Sequence, residues 1–454
     1  MSPPRGLKAF LATARQALSV PLSQRPKPLT LVVGNESADL DSICSALLYA
    51  YFRTHTPPHN LHVPLSNLPR ADLALRPELD AVLGPAGLKP DDLITLTDLP
   101  REPPLNPPDT RWLLVDHNVL TGELATPFSH HVIGCVDHHD DEGVVPHELP
   151  AGEPRMFAKC GSCMSLVLDQ CKPVWDSLSS SSSSSSSQPD GDEDAALAHI
   201  ALAPILIDTT NLTSPDKTTD WDVRAAALAE SKLSLSLNRR RGGTATTSPS
   251  PSFSSPSSST PTLDTFDRAG YFTTLTTLKE QIAHLSHRDV LRKDYKRWTE
   301  GPLALGVSTV VHGFNYVLRE LGNDGRPRPD DDDGRDAFLA ALRAWADEQR
   351  LDVAAVMTVS RPPGEGFARE LLVWGLNEQA VRVVREFERR FGEALGLERW
   401  GSGELDSHDD DVDGKGKGEG VREWRRCWRQ RRIEHSRKQV APMLREAMKE
   451  SSRL

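Results

Sequence analysis

Apolar runs that end abruptly in acid and histidine recur along the first half of the chain. Leu31-Val32-Val33-Gly34 leads into Asn35-Glu36-Ser37-Ala38-Asp39-Leu40-Asp41, and Leu113-Leu114-Val115 into Asp116-His117-Asn118. Gly134-Cys135-Val136 leads into Asp137-His138-His139-Asp140, and Pro204-Ile205-Leu206-Ile207 into Asp208-Thr209-Thr210-Asn211. Short apolar runs bounded by loop-forming residues predict buried strands. Ser42 to Phe52 predicts a helix after the first run, which puts Asp39 and Asp41 in the loop between strand and helix. Ligands of an open parallel sheet bind outside the carboxyl ends of its strands, so the four acid-tipped strands predict one shared site.

Elsewhere the pattern alternates between helix, strand and low complexity. Leu7, Phe10, Leu11, Ala14 and Leu18 recur at helical spacing and Pro21 stops the pattern, which predicts an amphipathic first helix. The same segment is acid-free up to Asn35 but carries Arg5, Lys8, Arg15, Arg25 and Lys27, a composition shared with mitochondrial transit peptides. Past residue 263, Leu303 to Val311, Val353 to Val359 and Arg369 to Trp374 predict strands of a second α/β domain. The expected domains are residues 1–236 and 263–454, joined by a Ser/Pro/Thr-rich linker at 237–262. Insertions are expected near 177–193, 322–335 and 401–420. Asp330 to Asp333 lacks the spacing and terminal glutamate of a calcium loop and reads as a solvated insertion.

Composition narrows the function. The net charge of -11 argues against a general nucleic-acid binder, since that affinity comes mainly from lysine and arginine. No apolar run is long enough to span a membrane, and an intracellular, cytoplasmic protein is expected, with a mitochondrial address as the alternative. The six cysteines form no disulfide framework, and Cys160-Gly161-Ser162-Cys163 is half of a zinc pattern without a partner pair. Aspartates with one imidazole make a hard donor set that suits magnesium or manganese. Paired metals can activate water and clamp both oxygens of an in-line phosphoryl displacement, without a phospho-enzyme. His130 and His131, before their strand, are expected on the surface. Arg422, Arg425, Arg426, Arg429, Arg431, Arg432, Arg437 and Lys438 crowd one span, either as a solvated helix face or as a polyanion site.

The motifs at 34–42, 115–118, 136–139, 207–211 and Ser436-Arg437-Lys438-Gln439-Val440-Ala441-Pro442, in this order, resemble the DHH phosphoesterase superfamily, and more narrowly its fungal cytosolic exopolyphosphatase branch. The resemblance implies an N-terminal DHH domain with a mainly parallel sheet flanked by helices. It also implies a smaller C-terminal α/β DHH-associated domain that closes over the site with basic residues. Carried over by position, Asp39, Asp41, Asp116, His138 and Asp208 are the implied ligands of two divalent ions, Mg2+ or Mn2+, with Asn35 and Asp137 at or near the metals. Asp116 and His139 are the implied catalytic pair, and His117, His139, Lys296, Arg437 and Lys438 the implied substrate residues.

Related manganese-dependent pyrophosphatases carry a ligating histidine where this chain has Asn35; the amide should weaken that metal, shift preference toward magnesium and favour polyphosphate. The animal prune group usually has arginine in place of His139, and the glycine-rich histidine motif of the nucleotide-cleaving branch is not found. The implied activity is release of orthophosphate from the end of inorganic polyphosphate by a metal-activated hydroxide, in a monomer without nucleic-acid or membrane partners. The alternatives are a pyrophosphatase or short-chain polyphosphatase and, in another class, an inactive phosphate-binding scaffold.

Overall fold

The computed structural model describes residues 3–182, 191–243, 266–321, 334–362, 364, 366–407 and 423–451. The serine run beyond Ser182, the linker from 244 to 262, the insertion at 322–333 with Asp330 to Asp333, and residues 408–422 with Arg422 lie outside them. The chain divides into two units, Met1–Leu73 with Pro77–Leu278, and Ala74–Arg76 with Lys279–Leu454.

The first unit holds β1 (Leu29–Val33), β2 (His62–Leu65), β3 (Thr110–Val115), β4 (Val132–Asp137) and β5 (Arg155–Phe157). Its helices are α1 (Leu7–Ser19), α2 (Leu40–His55), α3 (Glu78–Leu83), α4 (Gly122–Phe128), α5 (Cys163–Ser182), α6 (Gly191–Asp208), α7 (Asp220–Gly243) and α8 (Arg268–Glu280). The strands form one parallel sheet in the order β2-β1-β3-β4-β5. All five residues of β1 are buried, as expected of a parallel strand covered on both faces. Strand order reverses between β1 and β3, and a doubly wound sheet opens its ligand crevice at such a switch point.

The predicted fourth strand is instead the end of a helix. Pro204 to Ile207 closes α6, where Leu197, Ala198, Ile200, Ala201, Leu202, Ala203, Ile205 and Leu206 are all buried. A helix apolar on every side has no 3.6-residue contrast, so its last turn reads like a buried strand. Three strands and one helix therefore bring acids to the crevice. One expected insertion and the expected linker begin inside helices: α5 continues to Ser182 and α7 to Gly243. After the linker, α8 packs on the first unit, with Leu275 in its core and the Tyr271 hydroxyl donating to the His199 carbonyl.

The second unit holds α9 (His287–Lys293), β6 (Tyr295–Glu300), β7 (Leu303–Val310), α10 (Phe314–Arg319), α11 (Arg335–Glu348), β8 (Val353–Ser360) and β9 (Ala368–Gly375). It continues through α12 (Glu378–Leu395), β10 (Leu397–Arg399), β11 (Trp424–Gln430) and α13 (Arg437–Ser451). The mixed sheet runs β10-β11-β9-β8-β7-β6, parallel only between β7 and β8. Alternate strand residues face opposite cores. Leu305, Val307, Val353, Met357, Leu371 and Val373 meet α12 and α13, whereas Ala304, Ala354, Val356, Leu372 and Trp374 share the other core with α9, α10 and α11.

The arginine span is likewise a strand at its centre, not a helix face. In β11, Trp424, Cys427, Trp428 and Gln430 are buried while the arginines are partly covered. Arg425 donates from Nε to the Leu405 carbonyl, and Arg426 from Nη1 to that of Ser407, so both hold the preceding loop. Arginine stems can cover apolar surface while the guanidinium stays polar, which makes the run compatible with a strand.

Candidate metal centre

Past β1 the chain turns tightly into α2. A side chain at Gly34 would put its Cβ 2.6 Å from that of Ser42, so glycine permits the close approach. Asp39 caps α2, its Oδ1 accepting the Ser42 amide at 3.0 Å, as an aspartate before a helix should. Asp41 is not in the loop, as the pattern predicted, but in the first turn of α2. Its carboxylate reaches the start of α5 and accepts the Cys163 amide at 2.7 Å, the Met164 amide at 3.0 Å and the Ser162 hydroxyl at 2.8 Å. An acid at a helix N-terminus is favoured by the dipole, so Asp41 joins two helix starts.

Asp116 follows β3 with φ 60, a left-handed conformation uncommon for a residue other than glycine and typical of strained functional positions. Its Oδ2 accepts Asn35 Nδ2 at 2.8 Å and Ser42 Oγ at 2.7 Å. Asn35 also donates to the Asp116 carbonyl at 3.1 Å, and its own Oδ1 accepts the Ser37 amide at 3.0 Å and hydroxyl at 2.6 Å. Asn35 thus orients Asp116 through both ends of its amide.

His138 follows β4. Its Nδ1 is 3.0 Å from the Cys160 carbonyl, which can only accept, so Nδ1 carries the hydrogen. That leaves Nε2 facing Asp116 Oδ1 at 3.1 Å and Asp41 Oδ2 at 3.9 Å. Nε2 beside two buried carboxylates is a place where a cation, a proton or a metal ion, is shared between them. Asp116, His138 and His139 each offer a ligand atom, all within 4.8 Å of one another. Burial, followed by the charges of Asp116, Asp208 and Asp39, pushes the Asp41 carboxyl well above its ordinary range. Clustered buried acids, an oriented imidazole and a carbonyl holding its other nitrogen fit a hard divalent cation.

Asp137, fully buried at the end of β4, accepts His139 Nδ1 at 2.7 Å and the His139 amide at 3.1 Å on Oδ1, and Asn118 Nδ2 at 2.7 Å on Oδ2. Burial opposes ionisation here, but the hydrogen bond and charge of His139 prevail and hold the carboxyl below its usual value. Asp137 is therefore a support for His139. Asp208 ends α6, where Thr210, Asn211 and Leu212 take positive φ of 53, 57 and 63 and stop the helix. His117 is buried, its Nδ1 2.9 Å from the Val115 carbonyl.

The second unit carries the remaining predicted residues. Arg437 contacts Asp294 twice, from Nη1 to the carbonyl at 3.0 Å and from Nη2 to the carboxylate at 2.7 Å. Lys296 lies on β6 and is one of the charges acting on Asp294; Lys438 is exposed in the first turn of α13.

Sequence reasoning missed the polar groups that hold the ligands. Ser42, Ser162, Asn118 and the Cys160 carbonyl fall in this class, as does Asp222. Fully buried, Asp222 accepts the amides of Gly161, Ser162 and Thr219 and the hydroxyls of Ser165 and Thr219. Thr219-Asp220-Trp221-Asp222 shows the spacing of a helix cap, but nothing local predicts that the same acid also secures the start of α5.

A parallel sheet with a carboxylate-histidine crevice, followed by a mixed-sheet unit, defines the class. The DHH family, N-terminal domain, matches residues 30–187, and the DHHA2 domain matches residues 273–447. The chain belongs to the DHH family. It is 30% identical over 424 residues to the "Putative exopolyphosphatase" of Schizosaccharomyces pombe, covering 93% of this chain and 91% of that protein. Human "Exopolyphosphatase PRUNE1" is 28% identical over 165 residues, 36% of this chain and 34% of the human protein. Among solved structures, the "putative family II inorganic pyrophosphatase" of Methanococcus jannaschii superposes with a TM-score of 0.51 at 17% identity, covering 92% of this chain and 99% of that one, a likeness of fold. Among the described residues, no helix is long and apolar enough to cross a membrane.

Proposed function

We propose that this chain is a metal-dependent hydrolase of phosphoanhydrides, specifically an exopolyphosphatase that releases orthophosphate from the end of inorganic polyphosphate, acting as a cytoplasmic monomer. The observation that carries the reading is His138 Nε2 turned toward Asp116 and Asp41, a donor arrangement that calls for a cation. The Schizosaccharomyces pombe relative, similar over nearly its whole length, supports the substrate class.

Asp39, Asp41, Asp116, His138 and Asp208 are the proposed ligands of two divalent ions, Mg2+ or Mn2+. Such ions, when bound, supply Lewis-acid activation of water and neutralise charge on the phosphoryl oxygens. Asn35 and Ser42 keep Asp116 oriented, and Cys160 keeps His138 in one tautomer. Asp137 orients His139 by accepting its Nδ1 hydrogen, and His139 is the proposed partner of a phosphoryl or departing oxygen. His117, Lys296, Arg437 and Lys438 are the proposed phosphate partners, the last two at a helix N-terminus whose dipole favours an anion. Asn35 is spent on Asp116 and Ser37, which supports a weaker metal position there and the preference for polyphosphate over pyrophosphate.

The test is a chain-length-resolved assay with magnesium or manganese on long polyphosphate, tripolyphosphate and pyrophosphate. The expected result is orthophosphate from long chains, persistence of pyrophosphate, and a loss of at least about 100-fold in Asp116→Ala, since residues behind metal ligands already cost about 10–100-fold. A faster reaction with pyrophosphate would make the chain a pyrophosphatase; silence with every substrate under both metals would leave the scaffold.

A further inference from the structure

The peptide that joins Gly34 to Asn35 is pinned on both edges by side chains from other elements. Its carbonyl accepts Nδ2 of Asn67 at 3.1 Å, and its N–H donates to Ser42 Oγ at 3.1 Å. A trans peptide is a rigid plane with these two groups on opposite sides, so holding both stops it turning about the chain axis. Gly34 meets Ser42 too closely to carry a side chain of its own, which leaves this turn to be braced from outside.

Asn67 is only 7% exposed and follows β2, the edge strand that runs parallel to β1 with Leu65 opposite Val33. Its own backbone is fixed on either side. The Ser66 amide donates to the Ile94 carbonyl at 2.8 Å, and the Leu68 carbonyl accepts the Leu96 amide at 3.1 Å. Thr95, between these partners, donates its amide and hydroxyl to Asp98, which Arg15 and Arg70 hold. From the pinned peptide the contacts lead into the crevice. The Asn35 side chain donates to Asp116 Oδ2 at 2.8 Å, and the other oxygen of that carboxylate lies 3.1 Å from His138 Nε2. Ser42 Oγ, which accepts from the peptide, donates its own hydrogen to the same Oδ2 at 2.7 Å. Turning the peptide would carry Asn35 off Asp116 and break the Ser42 relay with it.

We propose that Asn67 is a positioning residue of the metal centre, acting from the edge strand through the peptide between Gly34 and Asn35, and through Asn35 on Asp116. The inference rests on the metal reading above. A residue that merely satisfied the buried Gly34 carbonyl would support folding and nothing else, because an unmatched buried acceptor costs stability wherever it lies. A positioning residue also changes metal affinity, and does so only while Asn35 is there to transmit the change.

The experiment titrates Mn2+ into the full chain by calorimetry, without substrate, in the wild type, Asn67→Leu, Asn35→Ala and the double variant, each well below its Tm. Leucine keeps much of the bulk of asparagine and removes the donor. Supports behind metal ligands are worth about 10–100-fold in affinity, and for a residue one step further back a loss of about tenfold is expected in Asn67→Leu. Independent sites add, whereas residues in one hydrogen-bonded chain do not, so the double variant is expected to bind Mn2+ no more weakly than Asn35→Ala. Should Asn67→Leu fail to fold, Asn67→Ala carries the same test. Wild-type Mn2+ affinity in the folded variant, with or without a fall in Tm, overturns the proposal. An additive loss in the double variant overturns it as well, because Asn67 would then act by another route than Asn35. A wild type that binds no Mn2+ sinks the metal reading itself, and this inference with it.

Discussion

In the first unit the acids and histidines of the site sit at or past the carboxyl ends of β1, β3 and β4 or, for Asp208, at the end of α6, whereas in the six-stranded sheet cationic side chains stand within the strands, at Lys296, Arg369, Arg425 and Arg426. The parallel sheet is covered on both faces, so the strand ends are where its polar chemistry can gather. The mixed sheet admits long side chains whose stems cover apolar surface, as Arg425 over Trp374 at 5.0 Å and Arg426 over Trp424 at 4.6 Å do. The acids are held by donors from helix starts and loops; the cations are held by backbone carbonyls, aromatic faces or an acid partner. One unit gathers buried carboxylates and imidazoles at its crevice, and the other spreads its cations along strands and a helix start.

The contrast can be broken most severely at Asp222. Asp222→Ala would leave buried donors at Gly161, Ser162, Ser165 and Thr219 unmatched. At about 1–3 kcal/mol for each unsatisfied group, a total loss of at least about 3 kcal/mol is expected, or a Tm fall of about 6–12 °C. Calorimetry checks it; a Tm within a degree or two of wild type would mean that water replaces the carboxylate without cost and that Asp41 is positioned by other means.

A smaller effect, confined to activity, is expected at Asn118. Removing its amide from Asp137 in Asn118→Ala should lower kcat about 10–100-fold, with Tm and the magnesium or manganese midpoint little changed, because the support of His139 is lost while the proposed metal ligands stay. A raised metal midpoint with unchanged kcat would instead make Asp137 part of the metal shell.

The smallest effect belongs to the second unit. Burial works against ionisation of Asp294, but Arg437, then Lys296 and Lys279, outweigh it and hold its carboxyl below 3.8. A carboxyl lowered on folding stabilises the protein above its unfolded value and stops doing so as pH falls through the folded one. Wild type should therefore exceed Arg437→Gln in Tm at neutral pH by a few degrees at most, consistent with about 1 kcal/mol for a partly exposed pair, and the gap should close below pH 3.8. A gap that widens on acidification would contradict this sign.

The sequence by itself determined the strand ends of the first sheet, α1 with its buried Leu7, Phe10, Leu11, Ala14 and Leu18, and three central strands of the second sheet, because period and terminal chemistry are local properties. It also marked Asp116, His138 and His139, which the fold brings within 4.8 Å of one another, since each directly follows or ends a buried strand. Tertiary structure alone decided what local pattern cannot carry. Helix α6 reads as a strand at its end because burial on every side erases helical contrast, and β11 reads as a charged face because packing of Trp424, Cys427 and Trp428 outweighs its arginines. Asp41 belongs to the start of α5, 122 residues away from it at Cys163, and Asp222 to the same helix from 61 residues beyond Gly161. Such donors and acceptors are paired by the folding of distant segments, and no window of sequence contains both partners.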